Sequence, residues 1–240
     1  MCGRIAQGET AAAVARRLGV TERVPGQPPS WNVAPGQSVL VVAAAGKKER
    51  AFLRPVWGFL PPWENYNPEL IRTSPINARA ETVAGNRLFG RAFRTARCLV
   101  PVTAWYEWAV QQDGPKQPYA MGPAGRETLT LGGILSVHLD PWKYKSYYLA
   151  IITTAAPSSL AGIHARAPLV IAEADHAVWL GQQKGEPAGL LNPVASEMIE
   201  AWMVGRDVND PANNGPELLE RRDNLSATRG ALAAADTGPA

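Results

Sequence analysis

The segments LTLGGIL, residues 129–135, and YYLAIIT, residues 147–153, decide the fold. Both are runs of apolar and β-branched residues of the length that a buried β-strand needs. Further runs of this kind occupy residues 38–43, 51–57, 97–102 and 168–172. Residues 46–49 predict the turn of a hairpin between the first two of these runs. The chain is therefore rich in strands.

Helical patterns are fewer, and they do not alternate strictly with the strands. Residues 9–18 are rich in alanine and place Val14 and Leu18 four positions apart, which predicts an amphipathic helix beginning at Glu9 or Thr10. Further helices are predicted over residues 83–93, 173–182 and 194–203. This order favours an α+β fold: a single domain with a mixed, largely antiparallel sheet or barrel-like core flanked by helices.

Length and composition set the limits of the functional interpretation. The chain has 240 residues, of which 46% are hydrophobic and 19% charged, a balance typical of a soluble globular protein. No uninterrupted apolar run is long enough to cross a membrane and the start has no secretion signal, so we expect a cytoplasmic protein. Residues 1–225 form the predicted domain. Residues 226–240, rich in alanine and glycine, are predicted to be a disordered tail.

The charge of the chain is unevenly distributed. Residues 1–100 contain 14 Lys and Arg against 6 Asp and Glu, a balance of +8, and residues 101–240 contain 10 against 15, a balance of −5, which together give the net +3. A basic half suits an anionic partner such as nucleic acid, although a chance excess on a solvated surface would look the same. The two cysteines and three histidines lack metal-site spacing, so no metal or other cofactor is predicted.

Cys2 is the most unusual residue because of its position. Initiator methionine is readily removed before a small residue, and the new terminus would then carry an amine and a thiol on adjacent carbons. Such a pair condenses with an aldehyde: the amine forms an imine, and the sulfur closes it into a five-membered thiazolidine. A buried, inert cysteine is the alternative interpretation, and Cys2 alone favours it.

Six segments carry unusual polar or aromatic residues in a fixed order along the chain. They are MCGR (1–4), WNVAP (31–35), WGFLPPW (57–63), PINARAET (75–82), VPVTAWYEW (100–108) and the stretch from TTAA to HARAP (153–168). Together they closely resemble the SOS response-associated peptidase (SRAP) family, the abasic-site processing proteins. The resemblance extends from Cys2 to about Ile171.

The resemblance implies a specific chemistry. Members of this family lose Met1 and use Cys2 to trap the aldehyde of an abasic site in single-stranded DNA, forming a thiazolidine crosslink that shields the lesion. The family name also records a peptidase activity, which removal of Met1 alone could satisfy. The expected partner is single-stranded DNA containing abasic sites, with no membrane and no metal. We expect a monomer that is cytoplasmic and associated with the nucleoid when bound to DNA.

Three further residues are predicted to act with Cys2. His164 is a candidate proton donor and acceptor, since opening the sugar and expelling water both require proton transfer near neutral pH. Glu107 lies between two aromatic residues, where burial would raise its pKa toward an acid–base role; it could also hold the Cys2 amine or assist reversal of the crosslink. The resemblance places Asn77 beside Cys2, orienting the amine or the sugar.

The predicted DNA contacts are less specific than these four residues. Arginine forks suit phosphate oxygens, a hydroxyl can add a further phosphate contact, and aromatic rings can stack on the bases beside the lesion. The predicted contact residues are Arg4, Trp63, Arg79, Trp108, Thr153 and Arg166. Local departures from the family pattern occur at Pro29–Trp31, Ala104–Trp105 and Ala167, and none of them removes a proposed catalytic group.

Two other functions remain open from the residues. One is a thiol peptidase, including an autopeptidase, that uses Cys2, Glu107 and His164 on protein substrates. The other is a noncovalent single-stranded DNA-binding module in which Cys2 is inert. Lyase-type processing of the lesion is a variant of the crosslinking hypothesis.

Overall fold

The computed structural model describes residues 2–21, 26, 28–61, 63, 73–112, 114–125, 128–139 and 144–222. The predicted tail, residues 226–240, lies outside them. The strands are β1 (Ile5–Gln7), β2 (Ser30–Val33), β3 (Val41–Ala44), β4 (Arg50–Leu53), β5 (Val56–Trp57), β6 (Asn77–Arg79), β7 (Arg97–Val102), β8 (Ala104–Ala109), β9 (Gln117–Pro123), β10 (Leu129–Leu139), β11 (Lys145–Ala155), β12 (Arg166–Pro168) and β13 (Ile199–Met203).

Helices are few and short among the described residues. They are α1 (Ala11–Leu18), α2 (Ala80–Val83), α3 (Gly90–Thr95) and α4 (His176–Trp179), with 3-10 turns at Ser158–Leu160, Glu173–Asp175, Pro187–Leu190, Ser196–Met198, Arg206–Asn209 and Pro216–Leu219. Among the described residues, no helix is long and apolar enough to cross a membrane.

Two sheets form the fold. One has five strands in the order β13-β9-β8-β1-β2; the other has eight, with the path β12-β11-β10-β7-β3-β4 and with β5 and β6 added parallel to β11. All other pairings are antiparallel. The larger sheet is therefore mixed, and the fold is a half-barrel with few helices, so the predicted α+β class with a largely antiparallel, barrel-like core is confirmed.

The core has three layers. Apolar residues of both sheets meet in the first layer, and Cys2 belongs to it together with Ile5, Val100 and Leu149. The helices cover the outer face of the eight-stranded sheet to make the second layer. The C-terminal segment covers the five-stranded sheet to make the third, with Val204, Val208 and Leu218 buried there. Cys2 therefore lies between the two sheets rather than at a loose end.

The first helix and most of the predicted strands agree with the structure, but the strand predicted at residues 168–172 is wrong, since β12 ends at Pro168 and Val170 forms only an isolated bridge with Leu131. The strand predicted at residues 97–102 is β7, and the two segments that open the sequence argument lie in β10 and β11, which pair from Gly133↔Ile151 to Leu139↔Lys145. Helix α1 begins after Thr10, whose hydroxyl accepts a hydrogen bond from the Ala13 amide (3.2 Å). It ends at Gly19, which has a positive φ.

Two helix predictions are wrong. Residues 194–203 form a 3-10 turn followed by β13, because this segment pairs with β9 and that tertiary pairing overrides the local helical pattern. Residues 83–93 do not form one helix. The Asn86 side chain accepts hydrogen bonds from the amides of Leu88 (2.8 Å) and Phe89 (3.2 Å), and this local turn separates α2 from α3.

Candidate active site

The chain start is placed by pairing with β8. Ile5 of β1 is opposite Trp105, and the amide of Tyr106 donates to the carbonyl oxygen of Arg4 (3.0 Å). This antiparallel register carries the residues before β1 alongside the end of β8, where Glu107 lies. Cys2 and Glu107 are both buried there, with 0% and 4% of their surface exposed.

Asn77 reaches Cys2 from the other sheet. Strand β6 pairs in parallel with β11, with Asn77 opposite Ile151. The Asn77 side-chain amide donates a hydrogen bond to the carbonyl oxygen of Cys2 (2.8 Å), so the two sheets are linked at the chain start. The Oδ1 atom of Asn77 is buried and accepts no hydrogen bond from the described residues.

His164 lies in the loop that joins β11 to β12. The 3-10 turn at Ser158–Leu160 orients it, since the His164 amide donates to the Leu160 carbonyl oxygen (3.0 Å). The ring nitrogen Nδ1 accepts from the Arg166 amide (2.9 Å), which assigns the proton of the neutral ring to Nε2. The Arg166 carbonyl oxygen lies 3.1 Å from the same Nδ1 and can accept from it when the ring is doubly protonated.

Electrostatic interactions link Glu107 to both Cys2 and His164. Burial raises the pKa of Glu107, and the charge of His164 opposes that rise in part. Burial also raises the pKa of the Cys2 thiol, and the Glu107 carboxylate adds to the increase because it disfavours a second negative charge nearby. We call Cys2, Asn77, Glu107 and His164 the Cys2 cluster. The structure brings together all four residues that the sequence singled out.

The predicted DNA-contact residues are not equivalent in the structure. Arg79 is exposed at the end of β6, opposite Thr153 of β11. Thr153 itself is buried. Arg166 is only partly exposed and pairs with both carboxylate oxygens of Glu81 (2.5 and 2.9 Å), while its Nη2 also donates to the Thr153 carbonyl oxygen (2.6 Å).

Arg4 is held on several sides. Its Nη1 donates to Asn32 Oδ1 (2.7 Å) and to the Val208 carbonyl oxygen (2.6 Å), and its guanidinium lies 5.6 Å from the centre of the Trp108 ring. The indole of Trp108 in turn donates to the side-chain oxygen of Asn209 (2.7 Å). Arg4 and Trp108 therefore anchor the C-terminal segment on the outer face of the five-stranded sheet.

The surroundings of Trp63 and the hydrogen-bond partners of Asn32 could not be predicted from the sequence. Trp63 is 61% exposed and lines a cleft with Phe59 and Arg91. Asn32 is buried, and its amide donates to the carbonyl oxygens of Asp210 (2.9 Å) and Asn213 (3.0 Å). The signal for Asn32 was its place inside the WNVAP motif, where a polar side chain between apolar neighbours requires buried partners.

Within the described ranges, no group of three or more His, Cys, Asp or Glu side chains could hold a metal ion. The arrangement offers an amide, a buried carboxyl group, an imidazole and a thiol, a set suited to proton transfer and to attack on a carbonyl carbon.

Comparison with known proteins gives consistent matches. A family model described as SOS response associated peptidase (SRAP) matches residues 1–211. The abasic site processing protein YedK of Escherichia coli strain K12 is 32% identical, over 92% of this chain and 99% of its own. YoqW of Bacillus subtilis strain 168, also named an abasic site processing protein, is 30% identical over the same shares.

A more distant relative and a solved structure extend these matches. The abasic site processing protein HMCES of Xenopus tropicalis is 28% identical over 80% of this chain and 65% of its own. A crystal structure of a protein from Bacteroides thetaiotaomicron has the same fold, with a TM-score of 0.80, 22% identity, and coverage of 92% of this chain and 100% of that one.

Proposed function

Because this chain belongs to the SOS response-associated peptidase family, we propose that it traps abasic sites in single-stranded DNA as a covalent thiazolidine at Cys2. The observation that carries the proposal is the meeting of the Cys2 cluster between the two sheets, with the Asn77 amide on the Cys2 carbonyl oxygen at 2.8 Å and Glu107 interacting electrostatically with both Cys2 and His164. The names of the relatives support the same lesion as the substrate.

The first step is attack by nitrogen. Removal of Met1 gives Cys2 a free α-amine, which adds to the C1′ aldehyde of the ring-opened sugar to form a carbinolamine. The carbinolamine hydroxyl leaves as water when a proton is delivered to it, and an iminium ion remains. Burial raises the pKa of Glu107, so its carboxyl group can supply that proton, and the His164 ring can supply it as the imidazolium.

The second step is ring closure. The Cys2 sulfur attacks the iminium carbon, and the thiol proton returns to the group that acted as the acid in the first step, so that one molecule of water is lost overall and no oxidant is required. Burial and the Glu107 carboxylate both raise the pKa of the thiol. Sulfur therefore reacts after the amine has fixed the aldehyde beside it, rather than as a free thiolate.

Asn77 orients the reacting groups. Its Nδ2 holds the Cys2 carbonyl oxygen, and its buried Oδ1 is available to accept a hydrogen bond from the new α-amine or from a sugar hydroxyl. Asn77 belongs to β6 of the eight-stranded sheet, so rigid elements set the position of the amine.

The raised pKa of Cys2 argues against a thiol peptidase as the main activity. A thiol protease needs a lowered thiol pKa, usually from an adjacent cationic histidine. Here the nearby charge that acts on the thiol includes a carboxylate, which has the opposite effect. Peptide hydrolysis beyond removal of Met1 is therefore not part of the proposal. We propose a monomer that acts in the cytoplasm, on the nucleoid.

A uracil-containing oligonucleotide treated with uracil glycosylase provides the test. After incubation and heating in denaturant, we expect a slower-migrating band, and intact-mass analysis should show a protein lacking Met1 plus one DNA strand minus one water. A protein with an extra residue before Cys2 should give no band, since its α-amine is occupied. Cleavage of peptides without a DNA adduct would favour the peptidase, and a salt-sensitive complex without an adduct would favour the noncovalent module.

A further inference from the structure

Strand β10 extends beyond the strand beside it. Its pairing with β7 runs from Leu129↔Val102 to Ile134↔Arg97, and the last contact on that side is the Leu135 amide donating to the Ala96 carbonyl oxygen (2.8 Å). On its other side β10 pairs with β11 as far as Leu139↔Lys145. Residues 136–139 therefore have a neighbouring strand on one side only, within the part of the chain that the structure describes.

The backbone groups on this free edge follow from strand geometry. The Leu135 amide points toward β7. Because the backbone groups on one side of a strand belong to every second residue, the amides and carbonyls of Val137 and Leu139 point the same way. No described residue pairs with these groups on that side. Val137 is 38% exposed and Leu139 63% exposed. Sheet edges usually carry charged residues, prolines or bulges that block pairing, and this one carries two aliphatic residues instead.

A cleft lies on each face of the sheet at this edge. The cleft on the outer, helical face has a volume of about 180 Å³ and is lined by Phe59, Leu88 and Ala92. The cleft on the opposite face has a volume of about 350 Å³ and is lined by Leu53 and Tyr147. Ala96, Leu135 and Val137 line both clefts. An added strand would direct consecutive side chains to opposite faces and so into both clefts.

The charge around the edge is positive. Arg91 lines the first cleft and Arg97 the second, although the Arg97 guanidinium also donates to the carbonyl oxygens of Phe93 and Trp179, and none of the described Asp or Glu residues lines either cleft. Residues 82–106 contain four arginines and no acidic residue. Arg94 is exposed on α3, and Arg87 is exposed in the turn before it. The surface therefore combines an open backbone edge, two apolar clefts and a cluster of cations.

We propose that this edge, residues 135–139 with its two clefts, binds an extended acidic peptide of a partner protein by strand addition. The peptide backbone pairs with Val137 and Leu139, two consecutive apolar side chains fill the two clefts, and flanking carboxylates face the arginines. The edge lies at the opposite end of β11 from the Cys2 cluster, since Lys145 begins that strand and Thr153 lies near its end. It is thus a recruitment surface separate from the chemistry.

Other occupants fit the same observations less well. A second copy of this chain would bring one cluster of arginines against another, and the like charges would repel. Single-stranded DNA would satisfy the arginines, but its backbone cannot continue the hydrogen-bond ladder of a β-strand. An acidic peptide satisfies the edge, the clefts and the charge together.

Fluorescence anisotropy of labelled peptides on the full chain tests the proposal. The probe is the fluorescein-labelled hexapeptide Asp-Asp-Leu-Phe-Asp-Asp, with two matched peptides: one replaces the Leu-Phe pair by Gly-Gly, and the other replaces the four acids by lysines. We expect saturable binding of the probe and at least tenfold weaker binding of each matched peptide. No binding of the probe at millimolar protein, or equal binding of all three, would overturn the proposal.

Substitutions on the protein locate the binding surface. Val137→Asp and Arg91→Glu should each weaken probe binding at least tenfold, whereas the matched control Val110→Asp, at an exposed valine (78%) at the end of β8, should change it less than twofold. All three variants should retain crosslinking to abasic DNA. Equal effects at positions 137 and 110 would show that the edge is not the site, and Arg91→Glu, on an exposed helix residue, answers the question if Val137→Asp unfolds.

Size measurement and competition separate the other occupants. A concentration-dependent dimer that Val137→Asp abolishes would assign the edge to a second copy and overturn the proposal. Full displacement of the probe by an undamaged oligo-dT would assign the edge to nucleic acid if Val137→Asp also weakens oligo-dT binding as much as it weakens probe binding. That result would also overturn the proposal. A monomer whose oligo-dT affinity is unaffected by Val137→Asp supports it.

Discussion

Cys2 and Glu107 lie side by side between the two sheets, almost without exposed surface. The three arginines predicted to contact DNA differ in how firmly the protein holds them: Arg4 donates hydrogen bonds to Asn32 and Val208, Arg166 pairs with Glu81, and Arg79 is exposed. We call these three the rim arginines. Burial raises the pKa of Glu107 toward an acid–base role at a cost in stability, whereas the protein contacts of Arg4 and Arg166 contribute to stability and limit the freedom of these two side chains to bind DNA.

The largest effect expected is on Cys2 itself. Cys2→Ser should abolish the heat-stable adduct with abasic DNA, because an oxygen in place of sulfur gives an oxazolidine, which hydrolyses readily. Cys98→Ala is the matched control, since Cys98 is also fully buried and also has a raised thiol pKa from burial, yet belongs to β7. A denaturing gel should show the adduct for Cys98→Ala and none for Cys2→Ser. An adduct with Cys2→Ser and none with Cys98→Ala would assign the chemistry to Cys98 and contradict the proposal.

Glu107→Gln should separate reactivity from stability. Removing a buried general acid–base group is expected to lower the rate of adduct formation by about 10²–10⁴-fold. The same change should raise the free energy of unfolding at neutral pH, because burial makes the charged Glu107 costly. Each ~1 kcal/mol recovered raises Tm by about 2–4 °C for a chain of this size.

The pH dependence of this stability has a definite sign. A raised pKa means that the folded state binds a proton more tightly than the unfolded chain does, so the Glu107 contribution is fully present below the ordinary carboxyl pKa and is lost as pH rises through the folded-state value. The Tm advantage of Glu107→Gln should therefore be largest at neutral pH and vanish in acid. A pH-independent advantage would mean that burial of charge is not its cause. Glu81→Gln, at an exposed carboxylate, should show no such advantage.

Substitutions of Arg4 and Arg79 test whether each of these rim arginines stabilises the fold or is free to bind DNA. Arg4→Ala removes two short hydrogen bonds from a charged donor and leaves Asn32 with an unsatisfied oxygen, so we expect it to lower the free energy of unfolding by about 2–3 kcal/mol. Arg79→Ala should leave Tm unchanged and weaken single-stranded DNA binding, reducing the salt slope of log K by about 1. Thermal unfolding and salt titrations measure both. Equal Tm values for the two variants would remove the distinction between a structural and a free rim arginine.

The sequence predicted the members of the Cys2 cluster but not how they are held. Cys2, Asn77, Glu107 and His164 could be named because each lies in a short motif with an ordered resemblance to a known family. The partners of the rim arginines could not be named, since Arg4 meets Val208 and Arg166 meets Glu81 across 204 and 85 positions of chain. Such contacts depend on how the sheets pack. The strand at Ile199–Met203 was missed for the same reason, because it exists through pairing with β9.

The smallest effect expected concerns Glu81 and Arg166. The Arg166 hydrogen bonds lower the pKa of Glu81, so the carboxylate is charged at neutral pH and holds the guanidinium. Glu81→Gln should free Arg166 for phosphate and strengthen single-stranded DNA binding up to about fivefold, since an exposed ion pair is worth no more than about 1 kcal/mol. Acid weakens the wild-type pair as pH falls through the lowered pKa, so the difference in affinity between wild type and variant should narrow there. Unchanged or weaker DNA binding by Glu81→Gln at neutral pH would mean that Glu81 positions Arg166 for DNA instead of withholding it. The Glu81 contact would then orient Arg166 toward phosphate rather than limit its freedom to bind.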